Sequence, residues 1–188
     1  MRKFLVLLAA VFALSTVVFA QQESQQDTID APKAELFAGY SYERANLSNF
    51  DPLNTEGISG ETLQLTGYLN RNFGITADVT RMYGSNVAQS GLNVTRYSYL
   101  FGPTYALRTT SSVTPFVHVL FGEDHERSSS SFLPDISNNS FAVDFGGGVD
   151  IKLVDHVALR PAQLDIMHTS HGGGESTFRY TAGVVFRF

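Results

Sequence analysis

The 188-residue chain contains no cysteine, so neither a disulfide framework nor thiolate chemistry is available to it. Basic residues are also few: 13 Lys and Arg stand against 18 Asp and Glu, which gives a formal net charge of −5 at pH 7. An acidic chain is a poor ligand for nucleic acid, because phosphate contacts need clustered Lys and Arg. We therefore exclude a nucleic-acid partner, and we expect no cofactor.

Long apolar runs are equally scarce. One spans 4–19, the basic residues Arg2 and Lys3 precede it, and a polar segment over 21–30 follows it. This order is typical of a secretory signal peptide, with cleavage expected after Ala20. No later run reaches the roughly 18 residues that a transmembrane helix needs. A membrane protein without such runs must be a closed β-barrel, because only helices and closed barrels satisfy every backbone polar group in lipid.

The C-terminal segment 175–188 alternates between apolar and polar or small side chains. Phe178 and Phe186 share one parity, and Arg179 and Arg187 share the other. Side chains alternate across a strand, so one face here is apolar and aromatic while the other is polar. This pattern suits a strand with lipid on one side and a polar lumen on the other.

The same alternation recurs upstream, after a polar segment over 21–33 that we interpret as a flexible lead-in. It predicts an all-β domain over 34–188, an eight-stranded antiparallel up-and-down transmembrane β-barrel. The predicted strands are 34–44, 61–69, 73–82, 92–106, 114–122, 140–151, 157–167 and 175–188. Most connections alternate between long and short, which is typical of barrels with periplasmic termini and long extracellular connections.

Charged side chains on the polar faces form the first candidate site, a lumen ion-pair network. Its predicted members are Glu35, Asp78, Arg96, His118, Asp144, Asp150, Arg160, Asp165, Arg179 and Arg187. Eight strands leave an interior just wide enough for side chains to fill, and an isolated buried charge is very costly. We therefore expect ion pairs that plug the lumen; a narrow ion path is the alternative. The expected pairs are Asp165 with Arg179, Asp150 with Arg160, and Glu35 with Arg187.

Pro161 interrupts the seventh predicted strand. Proline is tolerated inside a strand only at a bulge or at a sheet edge. A bulge at this position would bring Arg160 and Asp165 to the same face, although their numbers have opposite parity.

Six segments carry a resemblance to a known family. They are Y-L-N-R-N-F-G-I-T-A-D-V, S-Y-L-F-G-P-T-Y, V-T-P-F-V-H-V-L-F-G, F-G-G-G-V-D-I, A-L-R-P-A-Q-L-D and F-R-Y-T-A-G-V-V-F-R-F. Over about 34–188 the chain resembles the small outer-membrane β-barrel proteins related to the OmpA transmembrane domain. The resemblance implies a monomer in the outer membrane of a Gram-negative-type bacterium, in contact with lipid and lipopolysaccharide. Phe188 resembles the terminal aromatic residue that the outer-membrane assembly machinery reads as its signal.

These motifs specify a barrel and not a chemistry. The resemblance implies a structural role in envelope integrity, or surface interactions made by the long connections. A narrow porin-like channel for small solutes or ions is the alternative. We expect no enzymatic activity.

One constellation nevertheless resembles the catalytic set of outer-membrane lipid A deacylases: His168, Ser170 and Glu175. In that chemistry His deprotonates Ser, and Glu orients His. Glu175 follows Ser170 more closely than in that family, and the intervening glycines 172–174 argue against a preorganised site. We therefore assign no catalytic residue.

Two further motifs are weaker. His168 and His171, with Asp165 or Glu175, are residue types that bind transition metals, but an exposed glycine-rich segment is a poor setting, and we assign no metal site. The glycines 146–148 lack the helix and the Lys-Ser/Thr pair of a phosphate-binding loop. Close packing in the barrel wall is the better interpretation.

Overall fold

A computed structural model describes residues 32–44, 57–87, 92–109, 111–129, 136–170 and 175–188. Within these ranges the chain forms eight strands that close into a single antiparallel barrel, each strand paired with its neighbours in sequence and the eighth with the first. The strands are β1 (Ala34–Arg44), β2 (Gly57–Tyr68), β3 (Phe73–Val87), β4 (Leu92–Ala106), β5 (Val113–Ser129), β6 (Ile136–Val154), β7 (Val157–Thr169) and β8 (Glu175–Arg187). This confirms the predicted fold class. Among the described residues, no helix has the length and apolarity to cross a membrane.

The two ends of the barrel differ in the chain segments that they carry. One end, here called the turn end, carries Lys33, Phe188 and the connections 69–72, 107–112 and 155–156. The other, called the far end, is where β1 joins β2, β3 joins β4, β5 joins β6 and β7 joins β8. The predicted signal peptide and most of the predicted lead-in lie outside the described residues.

The strands follow the alternation that the sequence predicts. On β8 the odd-numbered Arg179 and Thr181 are buried, and the even-numbered Phe178 and Tyr180 are exposed. Because β8 pairs with β1, the same alternation continues across the seam that closes the barrel. The buried rows therefore face the lumen, and the exposed apolar rows form the outer surface.

Several strands are longer at the far end than the sequence predicts. The largest difference concerns the expected loop over 123–139, because β5 continues to Ser129 and β6 already begins at Ile136. Here Asp124 pairs with Ser140 and the ladder continues beyond them. Ladder hydrogen bonds join backbone groups, so the strands continue where the side chains no longer alternate between apolar and polar. Strands β2, β3 and β7 extend for the same reason, whereas β8 ends one residue early.

The expected bulge at Pro161 is present. The register between β7 and β8 shifts between Arg160 and Gln163. As a result Arg160, Gln163 and Asp165 are all buried in the lumen. The bulge removes the ladder hydrogen bond that proline could not donate.

The lumen is not uniformly polar. One apolar cluster lies inside it at Leu100, Leu120, Ala142 and Met167, and a second at Phe37, Ala158 and Val185. These side chains fill the space between the charged groups, as expected for an eight-stranded barrel whose interior is packed rather than open.

Candidate functional site

All ten side chains of the predicted lumen set are buried, each with 8% or less of its surface exposed. They come from seven of the eight strands and lie at three heights along the barrel axis, which we call the turn-end, middle and far-end levels. Each level is built around arginine.

Glu35 anchors the turn-end level. Its Oε1 accepts hydrogen bonds from Arg187 Nε and from Arg108 Nη2, both at 2.9 Å, and its Oε2 accepts one from the Tyr68 hydroxyl at 2.7 Å. Arg108 lies just beyond β4 in the connection to β5. Burial opposes its charge, but the Glu35 carboxylate raises the pKa of the Arg108 guanidinium above its ordinary value.

Arg160 lies above this group and reaches across the lumen. Its Nε and Nη2 donate to the two carboxylate oxygens of Asp150, at 2.7 and 3.1 Å. Its Nη1 donates to Gln163 on its own strand and to Gln64 on β2, both at 2.8 Å. The rings of two buried phenylalanines also lie 4.0 and 4.4 Å from the guanidinium carbon, within the range of cation–π attraction. These rings belong to Phe116 and Phe37.

Arg179 organises the middle level. Its Nη2 donates to Asp144 Oδ2 at 2.5 Å and its Nε to Asp165 Oδ2 at 3.2 Å. On the opposite side of the lumen its Nη1 donates to the Thr80 hydroxyl at 3.3 Å. His118 Nε2 lies 3.1 Å from the remaining oxygen of Asp165. This level thus joins β8 to β3, β6 and β7.

The middle level also contains Asp78, and its partners are neutral. Gln64 Nε2 donates to Asp78 Oδ2 at 2.8 Å, and the Thr80 hydroxyl donates to Oδ1 at 3.0 Å. The carboxylate is fully buried. Its charge is therefore balanced only at longer range, through the Arg179 guanidinium on the far side of Thr80.

Arg96 forms the far-end level. It pairs with Glu43 across the lumen on β1, and with Asp124 at 3.4 Å and Glu126 at 3.1 Å on the adjacent β5. Three carboxylates therefore surround one guanidinium, where the turn-end level has two carboxylates and three guanidiniums. Among the described lumen charges, positive charge is in excess at the turn end and negative charge at the far end.

Sequence reasoning missed four members of this network. They are Glu43, Arg108, Asp124 and Glu126. Residue parity alone identifies Glu43, since it follows Glu35 on β1 by an even number of residues. The other three fall in predicted connections, for which parity makes no prediction.

The predicted catalytic alternative is not assembled around Ser170. His168 is exposed on the outer surface, and its Nδ1 lies 3.1 Å from Ser176 Oγ on β8. Ser170 is exposed after the end of β7, and its backbone N–H donates to the Phe141 carbonyl. The backbone of Glu175 pairs with Thr169.

The residues of the predicted metal alternative lie on opposite faces of the barrel wall. Asp165 is buried in the lumen, whereas His168 is exposed on the outside. His171 lies outside the described residues. The glycines 146–148 lie inside β6, where a Cβ at Gly147 or Gly148 would press on the backbone of a neighbouring strand. Close packing in the barrel wall therefore accounts for them.

No family model and no curated protein sequence matches the chain. Solved structures of small outer-membrane barrels do match it. Neisserial surface protein A superposes with a TM-score of 0.68 at 16% identity, covering 85% of this chain and 100% of that one. Ail, the attachment invasion locus protein of Yersinia pestis, gives 0.61 at 16% identity with the same coverage. OprG of Pseudomonas aeruginosa gives 0.54 at 12% identity, covering 84% of this chain and 96% of that one. The chain thus has the fold of the small eight-stranded outer-membrane barrels, as the resemblance predicts.

Proposed function

We propose that the chain is an integral outer-membrane barrel whose lumen is closed by ion pairs, and that it acts as a scaffold rather than as a channel or an enzyme. The observation that carries this proposal is the inverted distribution of side chains, with charges buried inside the barrel and apolar groups exposed outside. A water-soluble barrel would bury its apolar side chains instead.

The outer surface supports the membrane placement. Its exposed belt includes Leu63 and Leu65 on β2 and Val117 on β5, each with at least half of its surface accessible. Aromatic side chains border the belt at both ends, as they do at the two interfaces of outer-membrane barrels. At the far end they include Tyr40, Tyr42, Tyr99, Phe121 and Phe141, and at the turn end Phe73, Tyr105, Phe186 and Phe188.

The arrangement of the lumen supports closure. Arg96 joins β4 to β1, Arg160 joins β7 to β2, and Arg179 joins β8 to β3. Each contact links strands that are not neighbours, so it crosses the interior. Three crossings at three heights, with apolar clusters between them, oppose a continuous water path through a lumen of this size.

The physiological role proposed for the scaffold lies at its far end. In this proposal the termini are periplasmic, the barrel is a monomer that contacts lipopolysaccharide and lipid, and the far-end connections contribute to envelope integrity or bind surface partners. Ail has been solved in complex with the heparin analogue sucrose octasulfate, so a barrel of this fold can bind a ligand. We assign no enzymatic activity, because His168 contacts Ser176 in place of the Ser170 that a deacylase would activate.

Planar-bilayer recording tests the closed lumen. We expect the purified wild-type barrel to insert without steady current, while a wide porin recorded in the same bilayers conducts. Steady single-channel current from the wild type would replace the scaffold with the channel alternative.

Two further measurements test placement and chemistry. The mature protein should begin at Gln21 and fractionate with the outer membrane; retention of residues 1–20, or recovery with the inner membrane, would contradict the proposal.

Lipid A from cells that express the wild type or Ser170→Ala should have the same acyl chains by mass spectrometry. Loss of an acyl chain with the wild type alone would establish a deacylase.

A further inference from the structure

His118, Asp144 and Asp165 meet at the middle level although they are far apart in sequence. They lie on three adjacent strands, β5, β6 and β7, and all three are buried. One ligand atom from each side chain lies within 4.8 Å of the other two. An imidazole nitrogen and two carboxylate oxygens are ligands that divalent transition metals accept.

In this group, the aspartate oxygens that accept no hydrogen bond from Arg179 remain available as metal ligands. Arg179 donates hydrogen bonds to Oδ2 of both Asp144 and Asp165. Oδ1 of Asp165 faces His118 Nε2 at 3.1 Å and also accepts a longer bond from Gln163. Oδ1 of Asp144 is fully buried and accepts no hydrogen bond from any described group. A buried oxygen without a donor is costly, and a metal ion at this point would satisfy it.

Gly146 makes room for the group. A Cβ on Gly146 would overlap both Asp165 Oδ1 and His118 Nε2. A glycine in a strand interior often marks a place where another group approaches closely. Because Gly146 has no Cβ, the His118 imidazole and the Asp165 carboxylate can meet in the space that the side chain of any other residue would occupy.

The charge of the middle level also favours a divalent ion. Three carboxylates, on Asp78, Asp144 and Asp165, stand against the single guanidinium of Arg179. The carboxylates of this level therefore outnumber its guanidinium by two negative charges. A divalent cation would remove both, and uncompensated buried charge is what a lumen of this size disfavours.

We propose that the lumen binds one divalent transition-metal ion of the Zn²⁺ type through His118 Nε2, Asp144 Oδ1 and Asp165 Oδ1. The imidazole favours such an ion over Ca²⁺ or Mg²⁺, which prefer oxygen ligands. Three protein ligands leave the fourth position of a tetrahedral ion to a water molecule, and the usual bond lengths of about 2.0–2.2 Å require the Asp144 carboxylate to move closer to the other two protein ligands. The ion joins β5, β6 and β7 inside the barrel, and it is a property beyond the proposed scaffold function.

Metal content of the folded, tag-free barrel tests the site. Wild type is folded with Zn²⁺, dialysed against a chelator and analysed by mass spectrometry for metal per chain. We expect about one zinc in the wild type, a loss of at least tenfold in His118→Gln and Asp144→Asn, and no loss in the matched control His168→Gln, whose histidine is exposed. Heat-modifiable migration on a gel verifies that each variant is folded. Equal zinc in wild type and His118→Gln, or no zinc in the wild type, would overturn the site.

A second measurement needs only the wild type, so it decides the question even where a variant fails to fold. Co²⁺ in place of Zn²⁺ should give the visible absorption bands of a four-coordinate ion with nitrogen and oxygen ligands, and added Zn²⁺ should abolish them. A Co²⁺ spectrum identical to that of the aqueous ion would contradict the proposal. Bilayer conductance is independent of both results, so failure of the metal site is distinguishable from failure of the closed lumen.

Discussion

Arg160 shows how single residues hold the lumen together. Its guanidinium pairs with both oxygens of Asp150 and packs between two aromatic rings. Such planar, two-pronged contacts are specific to arginine, because lysine presents a single point charge. The side chain thus combines charge compensation with packing, and its removal leaves both a buried carboxylate and a void.

Arg160→Ala should lower the free energy of unfolding by roughly 3–5 kcal/mol, the usual cost of breaking a buried pair from one side. The matched control is Lys152→Ala, since Lys152 near the end of β6 pairs with Asp155 at 2.8 Å, both side chains are exposed, and exposed pairs contribute far less than buried ones. Urea unfolding of barrels refolded into lipid vesicles measures both. Similar losses in the two variants would show that the lumen pair is not a structural element.

Combining Arg160→Ala with Asp150→Ala tests the pairing itself. The double variant removes the uncompensated carboxylate as well as the guanidinium, so part of the lost stability should return. Recovery will be incomplete, since Arg187 also lies 3.6 Å from Asp150. Strictly additive losses in the same urea experiment would mean that the two charges act independently.

Gly146→Ala should destabilise the barrel, because its Cβ would displace Asp165 and His118. Inserting a methyl group into a filled interior costs typically about 1–3 kcal/mol. Gly67→Ala is the control: it lies on β2, where a Cβ meets nothing within 4 Å, so its stability should stay close to that of wild type. The same urea titration compares them, and equal stabilities would show that the lumen adapts freely at this height.

At the scale of elements, β8 closes the barrel and Phe188 completes the closure. The Phe188 carbonyl accepts hydrogen bonds from the N–H groups of Lys33 and Ala34, at 2.7 and 3.2 Å, and its own N–H donates to the Ala34 carbonyl. Its aromatic ring remains exposed. The backbone of this residue therefore belongs to the β1–β8 seam, while its side chain is free to serve as an assembly signal.

Phe188→Ser separates these two roles, because it keeps the backbone bonds and removes the ring. We expect a reduced yield of heat-modifiable barrel in the outer membrane of cells, but unchanged spontaneous refolding in detergent. Leu153→Ser is the control, an exposed apolar residue at the same end of the barrel. If both variants assemble in cells as well as the wild type, the terminal ring is not a signal.

Strand prediction succeeded in the middle of the strands and failed at several of their far ends, where the alternation stops. The bounds of β1 and β4 agree with the prediction, although β4 alternates less cleanly than the other strands. Beyond Phe121 the outward residues of β5 become polar, beginning with Glu123, so the sequence resembles a loop although the ladder continues. Alternation reports which environment a strand faces, and it carries no signal once both faces are polar.

At the scale of the whole molecule, the sequence predicted which charged side chains lie in the lumen, but it did not predict which of them pair across the lumen. Pairs between adjacent strands, such as Glu35 with Arg187, follow from the order of the strands. The pair of Arg96 with Glu43 joins β4 to β1, and such a contact depends on barrel diameter and strand tilt, which one-dimensional parity does not contain. The cluster around His118 lies on three adjacent strands, and it was missed because parity does not contain the register that sets His118 opposite Gly146 and Gly146 opposite Asp165.

A charged side chain introduced on the outer belt tests whether this belt lies in lipid. Val117 lies at the middle of the apolar row on β5 with 61% of its surface exposed, and Glu123 lies beyond the belt on the same face of the same strand. Val117→Arg should cost about 2–4 kcal/mol in a bilayer, and Glu123→Arg about 0–1 kcal/mol, because the penalty falls with distance from the midplane.

Urea unfolding from lipid vesicles measures this difference. The two variants share a strand, a face and a new side chain, and they differ in depth within the membrane and in the residue that arginine replaces. In a water-soluble barrel an arginine at either exposed position would be solvated and nearly neutral in its effect. Equal, small effects at Val117 and Glu123 would therefore show that the belt does not lie in lipid, and the outer-membrane assignment would fail with it.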